Sequence, residues 1–147
     1  MGGVFPIFDE AGHFFGDSTG GSRFSALVNP GLHYFIAWGP VSTESLQATL
    51  VPGRTYWVLV TSRPSLYAVT RSSGLMRNVP SYIADTKAMI ADIASGQAYL
   101  DSLNDAFRKA VSDGIAAYEA YSDEDKVDAT LLPDDNFTPT GKGIAPP

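Results

Sequence analysis

Hydrophobic positions in the first seventy residues fall in short runs, many with a period of two, separated by Pro, Gly, Asn and Asp. This pattern is typical of antiparallel strands joined by tight turns. Six or seven strands are predicted, at about residues 4–8, 13–15, 22–28, 32–38, 46–50, 54–61 and 66–69. The run Arg54–Thr61 is apolar on both faces, which predicts a central strand that is covered on both sides. No helical crossover interrupts the series, so a sandwich is favoured over a parallel sheet.

Two Pro-Gly turns punctuate this region, Asn29-Pro30-Gly31 and Val51-Pro52-Gly53. Proline presets φ and the following glycine can adopt positive φ, so each turn places a rigid corner before an aromatic strand. Such corners help to set the register of neighbouring strands. His33 and Arg54 follow the corners directly, and we expect them near one end of the sandwich if both turns lie on the same side.

The second half changes to a helical period. Apolar positions from about residue 80 recur at helical spacing, and Ser95-Gly96 is predicted to separate a first helix from a longer one over about 97–121. Ser122 and the acidic residues after it predict either an exposed exit or a recapped turn. The prediction is therefore an α+β domain over 1–136, with an antiparallel β-sandwich-like unit of six to seven strands (about 4–70) followed by two C-terminal helices (about 80–121). Residues 137–147 are predicted to be a flexible tail.

The composition of the chain argues against several classes of function, namely nucleic-acid binding, disulfide or cysteine chemistry, and membrane spanning. The chain has 147 residues, no cysteine and a net charge of -6, and 44% of its residues are hydrophobic. The acidic balance and the scattered basic residues disfavour nucleic-acid binding, which requires clustered Lys and Arg. The lack of cysteine excludes disulfides and cysteine-ligated metals in this chain. No run approaches the roughly 20 apolar residues of a membrane span. The start lacks signal-peptide features, so we expect either a cytosolic chain or a mature fragment.

The candidate chemistry centres on the two histidines, His13 and His33. A Ser-His-Asp site using Ser18 with Asp17 or Asp9 is conceivable, but the chain has no Gly-x-Ser-x-Gly motif, and a packing role at the strand surface is favoured. The glycine-rich segment 16–22 lacks the Gly-Lys-Ser/Thr ending of a phosphate loop, and the acidic stretches lack EF-hand spacing. No cofactor and no metal-ligand set is predicted.

Four segments in order carry a resemblance to a known family: Ile7-Phe8-Asp9, Phe15-Gly16-Asp17, residues 28–35 and residues 50–58. They resemble small bacterial cell-envelope proteins of unknown function, often lipoproteins, that are related in pattern to PEGA-type β-sandwich domains. The resemblance is best over residues 4–61. It implies a β-sandwich and a location in the cell envelope (periplasm), and it carries over no catalytic residue. The family usually begins with a signal peptide and a further strand, neither of which precedes Val4 here, so an open sheet edge is expected.

Three functions follow as hypotheses. The leading one is a non-enzymatic envelope module that binds or scaffolds a protein partner, or self-associates through an open sheet edge. The second is a hydrolase that uses a histidine with a nearby carboxylate, and the third is a subunit of a phage or envelope assembly. The candidate functional surface consists of His33, Arg54, His13 and Asp17. Without an envelope location, the chain would be cytoplasmic.

Overall fold

The computed structural model describes residues 5–18, 26–40, 42–54, 56, 58–63, 66–71 and 86–135. In chain order the elements are β1 (Phe5–Phe8), β2 (Phe14–Ser18), β3 (Gly31–Trp38), β4 (Thr43–Leu50), β5 (Val58–Arg63), β6 (Leu66–Arg71), α1 (Thr86–Ser102), α2 (Asp105–Ala120), α3 (Asp123–Asp128) and β7 (Thr130–Leu131). The fold is α+β. No described helix has the length and apolar character that crossing a membrane requires.

The main sheet has five strands in the order β2-β1-β3-β4-β7. The pairs among β2, β1, β3 and β4 are antiparallel, whereas β7 pairs with β4 in parallel. The predicted antiparallel sandwich of six to seven strands followed by two helices is therefore wrong. The prediction failed partly because the last strand of this sheet, β7, lies beyond the helices and has only two residues. Such a short segment shows no periodic pattern in the sequence.

The segment predicted as the central strand lies outside the main sheet. β5 begins at Val58, four residues later than predicted, and among the described strands it pairs with β6 alone, in a separate two-stranded sheet. The inner positions of the main sheet belong to β1, β3 and β4 instead. Val58 and Val60 are apolar because they pack against one face of the main sheet, not because they lie within it.

Alternation along the strands gives the main sheet two apolar faces. One face carries Ile7, Leu46 and Ala48, and the β5 residues pack against it. The other face carries Phe8 and Ile36, both 0% exposed, and is covered by α1 and α2. The core therefore lies in two layers, one on each side of the sheet.

The helices differ from the prediction in their boundaries. α1 continues through Ser95-Gly96 to Ser102, and the chain breaks instead at Asn104, whose φ is +49°. A third helix, α3, follows Ser122, whose Oγ accepts a hydrogen bond from the Asp125 N–H at 3.1 Å. The acidic run after Tyr121 is therefore a capped helix rather than an irregular exit.

Gly96 was predicted to break a helix, but it provides a packing contact. A Cβ at this position would lie 2.7 Å from Cδ1 of Phe14, so only glycine lets α1 approach β2 this closely. Gly114 does the same in α2, where a Cβ would lie 2.7 Å from Cγ1 of Ile36. The Gly114 carbonyl also accepts a hydrogen bond from Ser45 Oγ at 2.5 Å. Both helical glycines therefore lie where a helix packs closely against the sheet.

Several edge groups of the main sheet are paired within the chain. Along β4, the Gln47 N–H donates to the Ala129 carbonyl at 2.9 Å, and the Ser45 N–H donates to the Tyr121 hydroxyl at 3.2 Å. On β2, the Phe14 N–H donates to Gln97 Oε1 at 2.7 Å. Self-association through an open sheet edge stays a prediction.

Three predictions concern residues that the structure does not describe. The predicted strand at 22–28 falls partly outside the described residues, and its described part, 26–28, is not a strand. The predicted helix start at 80–85 and the flexible tail at 137–147 lie wholly outside them.

Candidate functional site

The connection between β1 and β2 is a tight loop organised by Asp9. Its Oδ1 accepts hydrogen bonds from the N–H groups of Ala11, at 2.9 Å, and His13, at 2.8 Å. Gly12 has a φ of +83°, a left-handed conformation that favours glycine. The Asp9 side chain is only 5% exposed. A buried carboxylate is stable here because backbone donors replace the water that it has lost.

His13 contacts the second oxygen of the same carboxylate. Its Nδ1 lies 3.1 Å from Asp9 Oδ2, and its side chain is 73% exposed. Since the ring is in solvent, the contact contributes little to folding stability.

His33 is held from both sides. Its Nε2 lies 2.7 Å from the carbonyl oxygen of Asn29, and its Nδ1 lies 2.9 Å from Glu10 Oε1. The Asn29 carbonyl can only accept, so this contact is made by a ring that carries a proton on Nε2. The other Glu10 oxygen, Oε2, accepts the Tyr34 N–H at 3.0 Å. Glu10 thus fastens the β1–β2 loop to the start of β3.

Sheet register brings these groups together. Phe8 pairs with Ile36 in the antiparallel β1–β3 pair, so the residues that follow β1 run beside the residues that open β3. Asp9, Glu10 and His33 each offer one potential ligand atom, and the three atoms lie within 4.8 Å of one another. We call these three residues the clasp.

A surface groove of about 560 Å³ adjoins the clasp. Glu10 belongs to both, and the α1–α2 junction forms the opposite side of the groove. Its lining residues are Glu10, Ala11, Gly12, Asp101, Asn104, Phe107, Arg108 and Val111.

The other two predicted site residues lie apart from the clasp. Arg54 donates to the Pro133 carbonyl, at 3.0 Å, and to Asp134 Oδ1, at 3.2 Å. It therefore helps to hold the segment after β7. Asp17 lies in β2, opposite Pro6. The structure brings His13 and His33 to one acidic corner but does not add Arg54 or Asp17 to it.

Two tyrosines on the helix side have raised pKa values. Burial raises the pKa of Tyr121, and the hydrogen bond that its hydroxyl donates to Glu44 raises it further. Burial is also the main cause of the raised pKa of Tyr34, whose hydroxyl donates to Glu119 Oε1 at 2.9 Å. Both shifts keep the hydroxyls neutral as donors, which suits a structural role.

Comparisons with known protein families, with curated proteins and with solved structures found no match to this chain. The likeness to envelope proteins therefore stays a prediction from the sequence.

Sequence reasoning placed His13 and His33 on the candidate surface and named Asp9 as a possible partner of a histidine, but it left Asp9 off that surface and missed Glu10. One sequence feature could have indicated both residues: two acidic residues follow the apolar strand β1 directly. Carboxylates at the end of a buried strand need hydrogen-bond partners there, because burial removes their water. The partners of Asp9 are Ala11 and His13, within four residues of it, whereas His33, the partner of Glu10, is brought to the site only by the β1–β3 pairing.

Proposed function

We propose that this chain is a non-enzymatic binding domain that binds a positively charged ligand at the clasp and the adjoining groove. The observation that carries the proposal is that the clasp, which contains two carboxylates, adjoins a groove with two carboxylates in its lining. Asp9 and Glu10 belong to the clasp, and Glu10 and Asp101 line the groove. A concave site with a few convergent polar groups is the usual form of a ligand site.

The charge and shape of the groove support this ligand class. Its basic lining residue, Arg108, contacts Asp105 Oδ1 at 2.9 Å, so its charge is already partly balanced. Phe107 and Val111 add apolar surface to the lining. A ligand that joins a cationic group to a short aliphatic chain would match both properties.

The contacts of the His33 ring argue against a role as a catalytic base. A general base requires a ring nitrogen that is free to take a proton from a substrate. Both ring nitrogens of His33 are engaged, one by Asn29 and the other by Glu10. This side chain is therefore suited to holding the corner in shape.

A hydrolase is the second candidate, and one observation favours it. Asp9 holds Nδ1 of His13, which leaves Nε2 exposed as in a His–Asp pair. Within the described part of the chain, however, the His13 ring hydrogen-bonds to Asp9 and to no hydroxyl nucleophile. We expect wild type and His13→Gln to hydrolyse p-nitrophenyl acetate at the same rate. A fall to the buffer rate in the variant would favour the hydrolase.

The binding proposal is tested by titrating spermidine, an aliphatic polyamine, into ¹⁵N-labelled protein. We expect saturable amide shift changes at residues 9–13, at the start of β3 and at 101–108. Glu10→Gln and Asp101→Asn should weaken binding, whereas Asp128→Asn on the acidic helix α3 should not. Shift changes centred on α3, or no saturable change, would contradict the proposal.

A location in the bacterial cell envelope and a protein partner there, both expected from the resemblance, remain predictions. Neither is needed for binding at the clasp.

A further inference from the structure

We propose that the clasp binds a divalent cation of the Zn²⁺ class through Asp9, Glu10 and His33. This inference rests on the proposed function, and it adds a metal ion at the clasp to the organic cation proposed for the adjoining groove. One imidazole and two carboxylates form a donor set that suits Zn²⁺ and related divalent transition metals better than a purely oxygen-ligated ion.

The distances fit a small cation. The three ligand atoms lie within 4.8 Å of one another. In a tetrahedral zinc site, bonds of about 2.0–2.2 Å place the ligand atoms roughly 3.4 Å apart. Closing the clasp around an ion therefore requires side-chain adjustments of about an ångström rather than a change of fold.

Each of the three side chains is already oriented by a backbone group outside the clasp. The Ala11 and His13 N–H groups hold Asp9 Oδ1, and the Tyr34 N–H holds Glu10 Oε2. The remaining oxygen of each carboxylate contacts an imidazole nitrogen: Asp9 Oδ2 contacts His13 Nδ1, and Glu10 Oε1 contacts His33 Nδ1. One oxygen of each carboxylate is thus fixed by backbone N–H groups, whereas an ion would share Asp9 Oδ2 with His13 and would bind beside the contact of Glu10 Oε1 with His33.

His33 shows the arrangement expected of a metal ligand. Its Nε2 faces the Asn29 carbonyl at 2.7 Å, which leaves Nδ1 as the nitrogen that faces the clasp. Histidine ligands commonly donate their second ring N–H to a backbone carbonyl, because this bond orients the ring and raises its basicity. Nδ1 is 2.9 Å from Glu10 Oε1, so two of the ligand atoms are already adjacent.

Burial favours an ion that keeps open coordination positions. The exposed fractions of the side chains are 5% for Asp9, 13% for His33 and 30% for Glu10. The site is shielded on the Asp9 side and open on the Glu10 side, where the groove begins. Three protein ligands and an open position are the arrangement of zinc sites that accept a water or a further ligand.

The test is a calorimetric titration of the full chain with ZnCl₂. We expect one ion per chain, with affinity lowered at least about tenfold by Glu10→Gln and by His33→Gln. Asp128→Asn is the matched control, because it removes an exposed carboxylate of α3 that contacts no clasp residue among those described, and its affinity should equal that of wild type. Binding that survives both clasp substitutions would overturn the proposal.

A second measurement needs no variant and so does not depend on their folding. Substoichiometric Mn²⁺ should broaden the amide signals of Ala11, Asn29 and Tyr34 in the wild-type spectrum before those of α3. Broadening that begins at α3, or no binding of either ion, overturns the cation inference. Spermidine binding at the corner in the same samples would leave the proposed function standing, whereas the absence of all binding would remove both.

Discussion

Replacement of Gly114 by alanine tests whether α2 is as close to the sheet as the structure shows. A Cβ there would lie 2.7 Å from Cγ1 and 2.9 Å from Cδ1 of Ile36, which is fully buried. Overpacking of this kind costs about 1–3 kcal/mol, and the contact with several Ile36 atoms places the cost near the upper value. Alanine regains about 1 kcal/mol of helix propensity. The net loss is about 2 kcal/mol, which lowers Tm by roughly 4–8 °C.

The assay is urea unfolding followed by circular dichroism at 222 nm, with linear extrapolation to water. Ala116→Gly, at an exposed position of the same helix, measures the effect of helix propensity without a packing contact, and it should lower the free energy of unfolding by about 1 kcal/mol. In an Ile36→Ala background, Gly114→Ala should become neutral or stabilising, because the overlapping atoms are gone. If Gly114→Ala stabilises the otherwise native protein by about 1 kcal/mol, the close helix–sheet contact is refuted.

Three further predictions concern other contacts. Gly96→Ala should destabilise the fold by about 1–3 kcal/mol despite its better helix propensity, because its Cβ would overlap Phe14; an unchanged urea midpoint would contradict this. Tyr121→Phe should reduce the fall in folding stability that the wild-type protein shows as the pH rises above about 10. The pKa of Tyr121 is raised in the folded state, so its contribution is present below the unfolded pKa of about 10 and lost as pH rises above it. Thermal melts of both proteins between pH 8 and 11 measure this, and parallel curves would count against it. Ser122→Ala should cost about 1 kcal/mol and speed amide exchange in α3, since it removes the cap on Asp125; unchanged exchange would show that the cap is unimportant.

The clasp shows why the candidate site was only partly predictable. His13 and His33 stand out in the sequence as the two histidines, and Asp9 precedes His13 by four residues. Glu10 and His33 are 23 residues apart, and nothing local relates them. Their contact depends on the antiparallel pairing of β1 with β3, which is a property of the folded sheet.

The sequence by itself determined the local elements. Its period-two runs predicted strands that overlap β1, β3 and β4, and its helical period predicted helical structure across most of α1 and α2. These features depend on the alternation of side chains along a strand and on the 3.6-residue turn, both of which are visible within a short window.

Tertiary structure decided how those elements are combined. Only long-range pairing places β1 between β2 and β3, excludes β5 from the main sheet and adds β7 in parallel to β4. The same holds for Gly96 and Gly114, whose role depends on the side chains of Phe14 and Ile36 that face them across the helix–sheet interface. Local propensity treats a helical glycine as a weakness, whereas in the folded chain its missing side chain is the space into which the sheet packs.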